Sequence, residues 1–135
     1  MSMSQAERPA RVPAAAPATV TALRGPTDFA GRAAGLGVDV TEPVRSGGLV
    51  ADIGTYTVTL DGAELALSPR QVELLVLFLA GPGKVWSRAQ LHWACWGDTS
   101  TSRRVDVQLC RLRARTGLDL FRNVRDRGWA LRPVA

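Results

Sequence analysis

The chain has 135 residues and a mass of 14.5 kDa, the size of one domain with or without an appendage, and 46% hydrophobic residues are enough for a core. Seventeen Lys and Arg against 12 Asp and Glu give a net charge of +5, and Lys84 is the only lysine, a balance that attracts polyanions. No stretch approaches the roughly 20 apolar residues of a bilayer span; Pro9, Pro13 and Pro17 interrupt any signal-peptide core; and two cysteines, Cys95 and Cys110, build no disulfide framework, so a cytoplasmic location with reduced thiols is expected.

In the first 47 residues, 20 are Ala, Pro or Gly, and Phe29 is the only aromatic. Apolar periodicity is missing, so little buried area is there to offset ordering entropy. A disordered tail is expected over 1–47, with at most a short helix at 28–34. It reads as a solvated leader or as an arm adding weak DNA or polymerase contact. From residue 48 the pattern turns globular. Residues 49–53, 56–60 and 64–67 are β-prone, separated by Gly54-Thr55 and Asp61-Gly62, which predicts an antiparallel meander. Ser68-Pro69-Arg70-Gln71 is a capping box with proline at the first helical position, and that helix runs to about Ala80 before Gly81-Pro82-Gly83. Lys84 to Trp86 has room for one short strand. Ser87-Arg88-Ala89-Gln90 repeats the capping box and opens a helix ending at Trp96-Gly97. After polar residues 98–101, a third helix of the globular part is expected over about 102–116, stopped by Gly117. Residues 121–125 and 129–132 flank Asp126-Arg127-Gly128 as a closing hairpin.

Charge is unevenly placed along this order. Residues 48–98 carry a net −2, whereas 99–135 hold nine Arg and three Asp, a net +6. The third helix and the hairpin therefore carry the footprint of a nucleic-acid-binding element. On that helix Val105, Leu109, Leu112 and Thr116 form a core-facing stripe. Arg104, Gln108, Arg111 and Arg115 lie one residue further round, Arg103, Val107 and Cys110 form a neighbouring strip, and Asp106 and Arg113 lie opposite the core. In a major groove Arg can bond guanine bidentately, Gln adenine, Asp can accept from cytosine and Val can touch a thymine methyl. A merely solvated Arg-rich helix is the alternative for the same pattern.

Other chemistry is thinly provided. His92 and Cys95 share a helix face at i and i+3, but structural zinc takes four ligands and no convincing fourth is present, so neither metal nor other cofactor is expected. Cys95 reads as a buried thiol. Cys110 lies on the outward strip, where Arg111 and Arg113 would favour its thiolate and make it a candidate redox sensor. With one histidine, no nucleophile elbow, no Gly-rich phosphate loop and no spaced carboxylate pair, no enzyme is expected.

Four stretches, LDGAELALSPRQVELLVLF (60–78), GPGKVWSRAQL (81–91), RRVDVQLCRLRAR (103–115) and NVRDRGWAL (123–131), occur in the order seen in the OmpR/PhoB family. Residues 49–134 resemble that family of winged-helix DNA-binding domains, the output half of many bacterial response regulators. The resemblance implies an α+β winged helix over 48–135: an N-terminal antiparallel β-meander, a three-helix core and a C-terminal hairpin wing. It implies a sequence-specific transcription regulator binding double-stranded DNA, with helix 102–116 in the major groove and wing 121–132 in the minor groove. Base contacts would come from Asp106, Val107, Arg111 and Arg125. Backbone contacts would come from Trp96, Arg103, Arg104, Gln108, Arg113, Arg115, Arg127 and Trp129. Binding as a homodimer or tandem pair, and contact with RNA polymerase, are further implications. Against the family pattern, Arg104 replaces a usual Thr, Gln108 a frequent His, and Asp126 the first wing Gly. A 47-residue leader stands where a receiver domain of about 100 residues is usual, so an orphan regulator is expected. Trp93 occupies a normally polar position. With Val76 it suggests a patch for RNA polymerase or another regulator, the alternative adaptor role through the first two helices; a packed core tryptophan is the other reading.

Overall fold

A computed structural model describes residues 28–98 and 102–134. The elements run α1 (Phe29–Gly35), β1 (Val44–Ser46), β2 (Leu49–Asp52), β3 (Thr57–Leu60), β4 (Ala63–Glu64), α2 (Pro69–Ala80), α3 (Arg88–Trp96), α4 (Arg104–Thr116), β5 (Phe121–Val124) and β6 (Gly128–Leu131). Strands β1 to β4 form one antiparallel sheet in sequence order, and β5 and β6 form a separate hairpin. The fold is α+β, a winged helix with an N-terminal sheet.

The sheet follows the period-2 rule of strands. Leu49 and Ala51 face the core and pair with Leu60 and Val58 on β3. Asp61 and Gly62 both have positive φ, +52° and +87°, as a two-residue hairpin turn of the Asp-Gly kind requires. The expected strand at 64–67 contracts to Ala63–Glu64, because the chain leaves the sheet after Leu65 donates to the Val58 carbonyl at 2.8 Å and turns towards Ser68.

Helix α2 is the axle of the domain. Its capping box closes both ways, with the Gln71 N–H on Ser68 Oγ at 3.3 Å and the Ser68 N–H on Gln71 Oε1 at 2.9 Å. Every residue from Gln71 to Leu79 is buried, since the sheet, α3, α4 and the wing surround it. This corrects one expectation: Val76 is completely buried and belongs to no surface patch. An apolar circumference signals a helix enclosed by its own domain as readily as a face kept for a partner.

The expected boundary at 48 falls too late in the chain. The folded body already includes Asp28. Phe29, Ala33, Val38 and Val40 are buried in the common core, and β1 adds an edge strand with Val44 opposite Ala51. Asp28 caps α1 through the Gly31 N–H at 2.9 Å. Arg32 Nε donates to the Ala94 carbonyl at 3.0 Å, so a cation meets the final turn of α3, where carbonyls lack intrahelical partners. Residues 1–27 of the expected tail, and loop residues 99–101, lie outside the described residues.

Both later helices stop at glycines in the left-handed region, Gly97 (φ +81°) and Gly117 (φ +72°). Helix α4 starts at Arg104, and its N-cap residue Arg103 supplies no side-chain cap. The strand expected at 84–86 reduces to a single bridge, with Trp86 N–H to Trp129 O at 2.7 Å and Trp129 N–H to Trp86 O at 2.9 Å. That bridge stitches the wing to the body.

Candidate nucleic-acid interface

Val105, Leu109, Leu112 and Thr116 are buried, as the stripe on α4 predicts, and this fixes which side of the helix faces outward. Arg103, Arg104, Val107, Cys110, Arg111 and Ala114 are exposed. Val107 is 43% exposed, one of two large hydrophobic side chains left open among the described residues.

Arg88 locks the start of α4. Its Nε and Nη2 donate to the two Asp106 carboxylate oxygens at 2.8 and 3.0 Å, and its Cζ lies 5.3 Å from the Trp129 ring centroid. One guanidinium thus joins α3, α4 and the wing. Sequence reading missed Arg88; the available signal was a lone arginine in the first turn of a helix within an acidic stretch. The hydrogen bonds from Arg88 hold the Asp106 carboxyl below its ordinary value, against the opposing effect of partial burial. A lowered carboxyl pKa stabilises the fold above the unfolded value, 3.8, and that contribution disappears as pH falls through the lower folded value. In urea denaturation series across this acid limb, Asp106→Asn is expected to be less stable by about 1–2 kcal/mol at neutral pH and to show a shallower decline in acid. Parallel acid limbs in the two proteins would contradict the pair.

The structure brings the other expected residues to different places. Gln108 accepts from Gln71 Nε2 at 3.1 Å. Arg113 donates to the Phe121 carbonyl at 3.1 Å and lies 3.7 Å from Asp119. Arg115 donates to the Ala66 carbonyl. These three side chains tie α4 to α2, to the wing and to the loop before α2. Arg103 is 84% exposed and only 3.5 Å from Asp106 Oδ2. Arg111, Arg125 and Arg127 are exposed, with no hydrogen bond or ion pair from their guanidiniums among the described residues.

The wing turn carries Asp126 at φ +62°, and Arg125 and Arg127 flank it. Between the turn and the start of α3 lies an open cleft of about 390 Å³, lined by Ser87, Arg88, Asn123, Asp126, Arg127 and Trp129 among others. Trp96, half-buried at the end of α3, stacks on His92 and lies beneath the Arg104 guanidinium. His92 is fully buried, with Nδ1 against the Asp98 carboxylate and Nε2 3.2 Å from Ser102 Oγ. Cys95 is buried, and desolvation pushes its thiol far above the ordinary range, whereas Cys110 is exposed. Trp93 is half-buried.

An outward helix packed on two others, with a basic hairpin stitched beside it, defines a winged helix-turn-helix, a class of nucleic-acid-binding domain. Residues 62–131 match the model of the family described as "Transcriptional regulatory protein, C terminal", and the chain belongs to this family, whose DNA-binding domain is of the OmpR/PhoB type. It is similar to the response regulator protein PmrA of Pseudomonas aeruginosa, 38% identical over 87 residues covering 63% of this chain and 39% of that protein. It is also similar to the phosphate regulon transcriptional regulatory protein PhoB of Rhizobium meliloti, 34% identical over 94 residues covering 65% of this chain and 41% of PhoB. The chain thus matches less than half the length of these relatives. Among solved structures, the DNA-binding domain of CpxR from E. coli superposes with a TM-score of 0.63 at 26% identity, covering 69% of this chain and 98% of that one. The Klebsiella pneumoniae RstA DNA-binding domain in complex with the RstA box gives the same TM-score and identity, with 69% and 99% covered. This is a family of transcription regulators, not of enzymes. Among the described residues no helix is long and apolar enough to cross a membrane.

Proposed function

We propose that this chain recognises a specific duplex DNA sequence and regulates transcription, with α4 in the major groove and the β5–β6 wing in the adjacent minor groove. The observation carrying this reading is the outward strip Arg103, Val107, Arg111 on a helix whose opposite stripe is locked into the core. The RstA domain in complex with its box, similar over nearly its whole length, supports it.

In this reading Arg111 and Val107 read bases, and Arg125 enters the minor groove, whose narrow A·T-rich segments attract arginine. Asp106 has both carboxylate oxygens engaged, so its main task is to hold Arg88 beside the wing. Arg103, Arg104, Arg127, Trp96 and Trp129 contact the backbone, while Gln108, Arg113 and Arg115 act chiefly through their fold contacts. The adaptor reading through α2 and α3 loses Val76, which is buried, and keeps only the half-buried Trp93.

Site selection from random duplexes tests the proposal and reads the pairing of subunits, a direct repeat for tandem binding or a palindrome for two-fold symmetry. On the selected site Arg111→Ala is expected to cost about 1–3 kcal/mol and to flatten preference at one base pair. Anisotropy titrations showing equal loss on every sequence would remove Arg111 from base readout.

A further inference from the structure

We propose that Arg70 and Arg104, both placed over the indole of Trp96, form a clamp for one phosphodiester of the DNA backbone beside α4. The inference rests on the DNA-binding reading above and extends it to α2, where no contact residue was expected.

Trp96 is fixed from the inside: the buried His92 ring stacks on it with centroids 4.7 Å apart and planes 29° from parallel. The Arg104 Cζ lies 5.5 Å and the Arg70 Cζ 5.8 Å from the same indole centroid. A ring face attracts each guanidinium. Two cations gathered at one ring nevertheless repel each other, and Arg104 stands in the first turn of α4, where the positive end of the helix dipole further disfavours a cation. Glu73 compensates Arg70 alone, and among the described residues no carboxylate pairs with Arg104; a phosphate between the two guanidiniums offsets the repulsion that remains.

Arg70 is held ready for that role. Its Nη1 donates to Glu73 Oε1 at 3.1 Å, and Glu73, only 3% exposed, also accepts the Tyr56 hydroxyl at 2.5 Å. One Glu73 oxygen thus orients Arg70 while the other is anchored to the β2–β3 turn. Among the described residues this is the one hydrogen bond of the Arg70 guanidinium, which leaves most of its donors open, and its side chain is 44% exposed. A phosphodiester suits a planar fork of donors. Arg104 lies beside the outward Arg103 and Val107, so the phosphate belongs to the rim of the groove that α4 enters. The clamp carries no base information; it sets register.

The test uses the full chain and its selected duplex, with affinity followed against salt. Arg70→Ala is expected to flatten the slope of log K on log salt equally on all sequences, by a part of the about 0.9 that one phosphate contributes, since Arg104 stays on that phosphate. Arg70→Lys, which keeps the charge, should retain the slope. A methylphosphonate walked along the duplex should weaken the wild type at one rim position, and Arg70→Ala and Arg104→Ala should both be less sensitive at that same position. Thermal unfolding of each variant separates this loss from misfolding. An unchanged slope in folded Arg70→Ala, or undiminished methylphosphonate sensitivity at the rim position in it, overturns the clamp. So does a Trp96 fluorescence response to inorganic phosphate combined with unaltered duplex affinity in Arg70→Ala, which would identify a free-anion site. Absence of any duplex binding by the wild type overturns instead the DNA-binding reading beneath it.

Discussion

Alanine at Gly128 is expected to detach the wing and abolish tight DNA binding. Gly128 has φ +136°, a conformation L side chains rarely adopt, and a Cβ built there lies 1.8 Å from the Trp86 carbonyl oxygen and 2.9 Å from Ser87 Cα. Both obstacles are backbone, so no rotamer change relieves them. Relief requires β6 to move off Trp86, which breaks the two hydrogen bonds between Trp86 and Trp129. Strain of roughly 1–3 kcal/mol and two hydrogen bonds of about 0.5–1.5 kcal/mol each give about 2–6 kcal/mol in all. The same movement takes Trp129 away from Arg88, and with it shifts the hairpin turn that carries Arg125 and Arg127. Urea denaturation monitored by tryptophan emission, with duplex titration alongside, checks both effects. Wild-type midpoint and affinity in Gly128→Ala would show that the wing does not depend on this close approach.

Phe121→Ala should destabilise the whole domain by about 3–5 kcal/mol, a large part of the stability of a small protein. Phe121 is 1% exposed, and its ring centroid is 4.7 Å from that of Phe78 on the central helix. Phe78 in turn meets Trp86 edge-on at 6.5 Å. Removing the Phe121 ring opens a cavity where α2 meets the wing, and rigid neighbours on both sides limit collapse. The Phe121 carbonyl, which receives Arg113, lies where α4 and the wing meet, so the loss should spread to the DNA-reading helix. For a domain of about 100 residues each kcal/mol lowers the melting temperature by about 4–8 °C. A fall of only a few degrees in calorimetry would mean that the site repacks.

Much of this arrangement was legible from local signals. Two capping boxes placed α2 and α3 at their starts, and Gly97 and Gly117 placed the ends of α3 and α4. Such signals work because a helix terminus must satisfy its own backbone groups within a few residues. The α4 stripe was legible for the same kind of reason, as spacing on a helix fixes which residues share a face. The short helix allowed at 28–34 is α1, but the sequence does not reveal 28–47 as part of the folded body, because its few apolar side chains show no period of their own. Phe29 and Ala33 are buried against elements far along the chain, and a composition rich in Ala, Pro and Gly conceals this. Val76 was misread because a sequence shows that a helix is apolar all round but not what encloses it.

The sequence by itself determined that the chain is an α+β domain with a basic C-terminal reading helix and wing, and which face of that helix looks outward. These follow from periodicity, caps and charge, all properties of neighbouring residues. The tertiary structure decided which outward residues are available. Only packing across elements brings Arg88 to Asp106, Gln71 to Gln108, Arg115 to Ala66 and two arginines to Trp96. An arginine and its partner 18 or 49 positions apart leave no local pattern, because their proximity is set by how helices and strands pack and not by how either one forms.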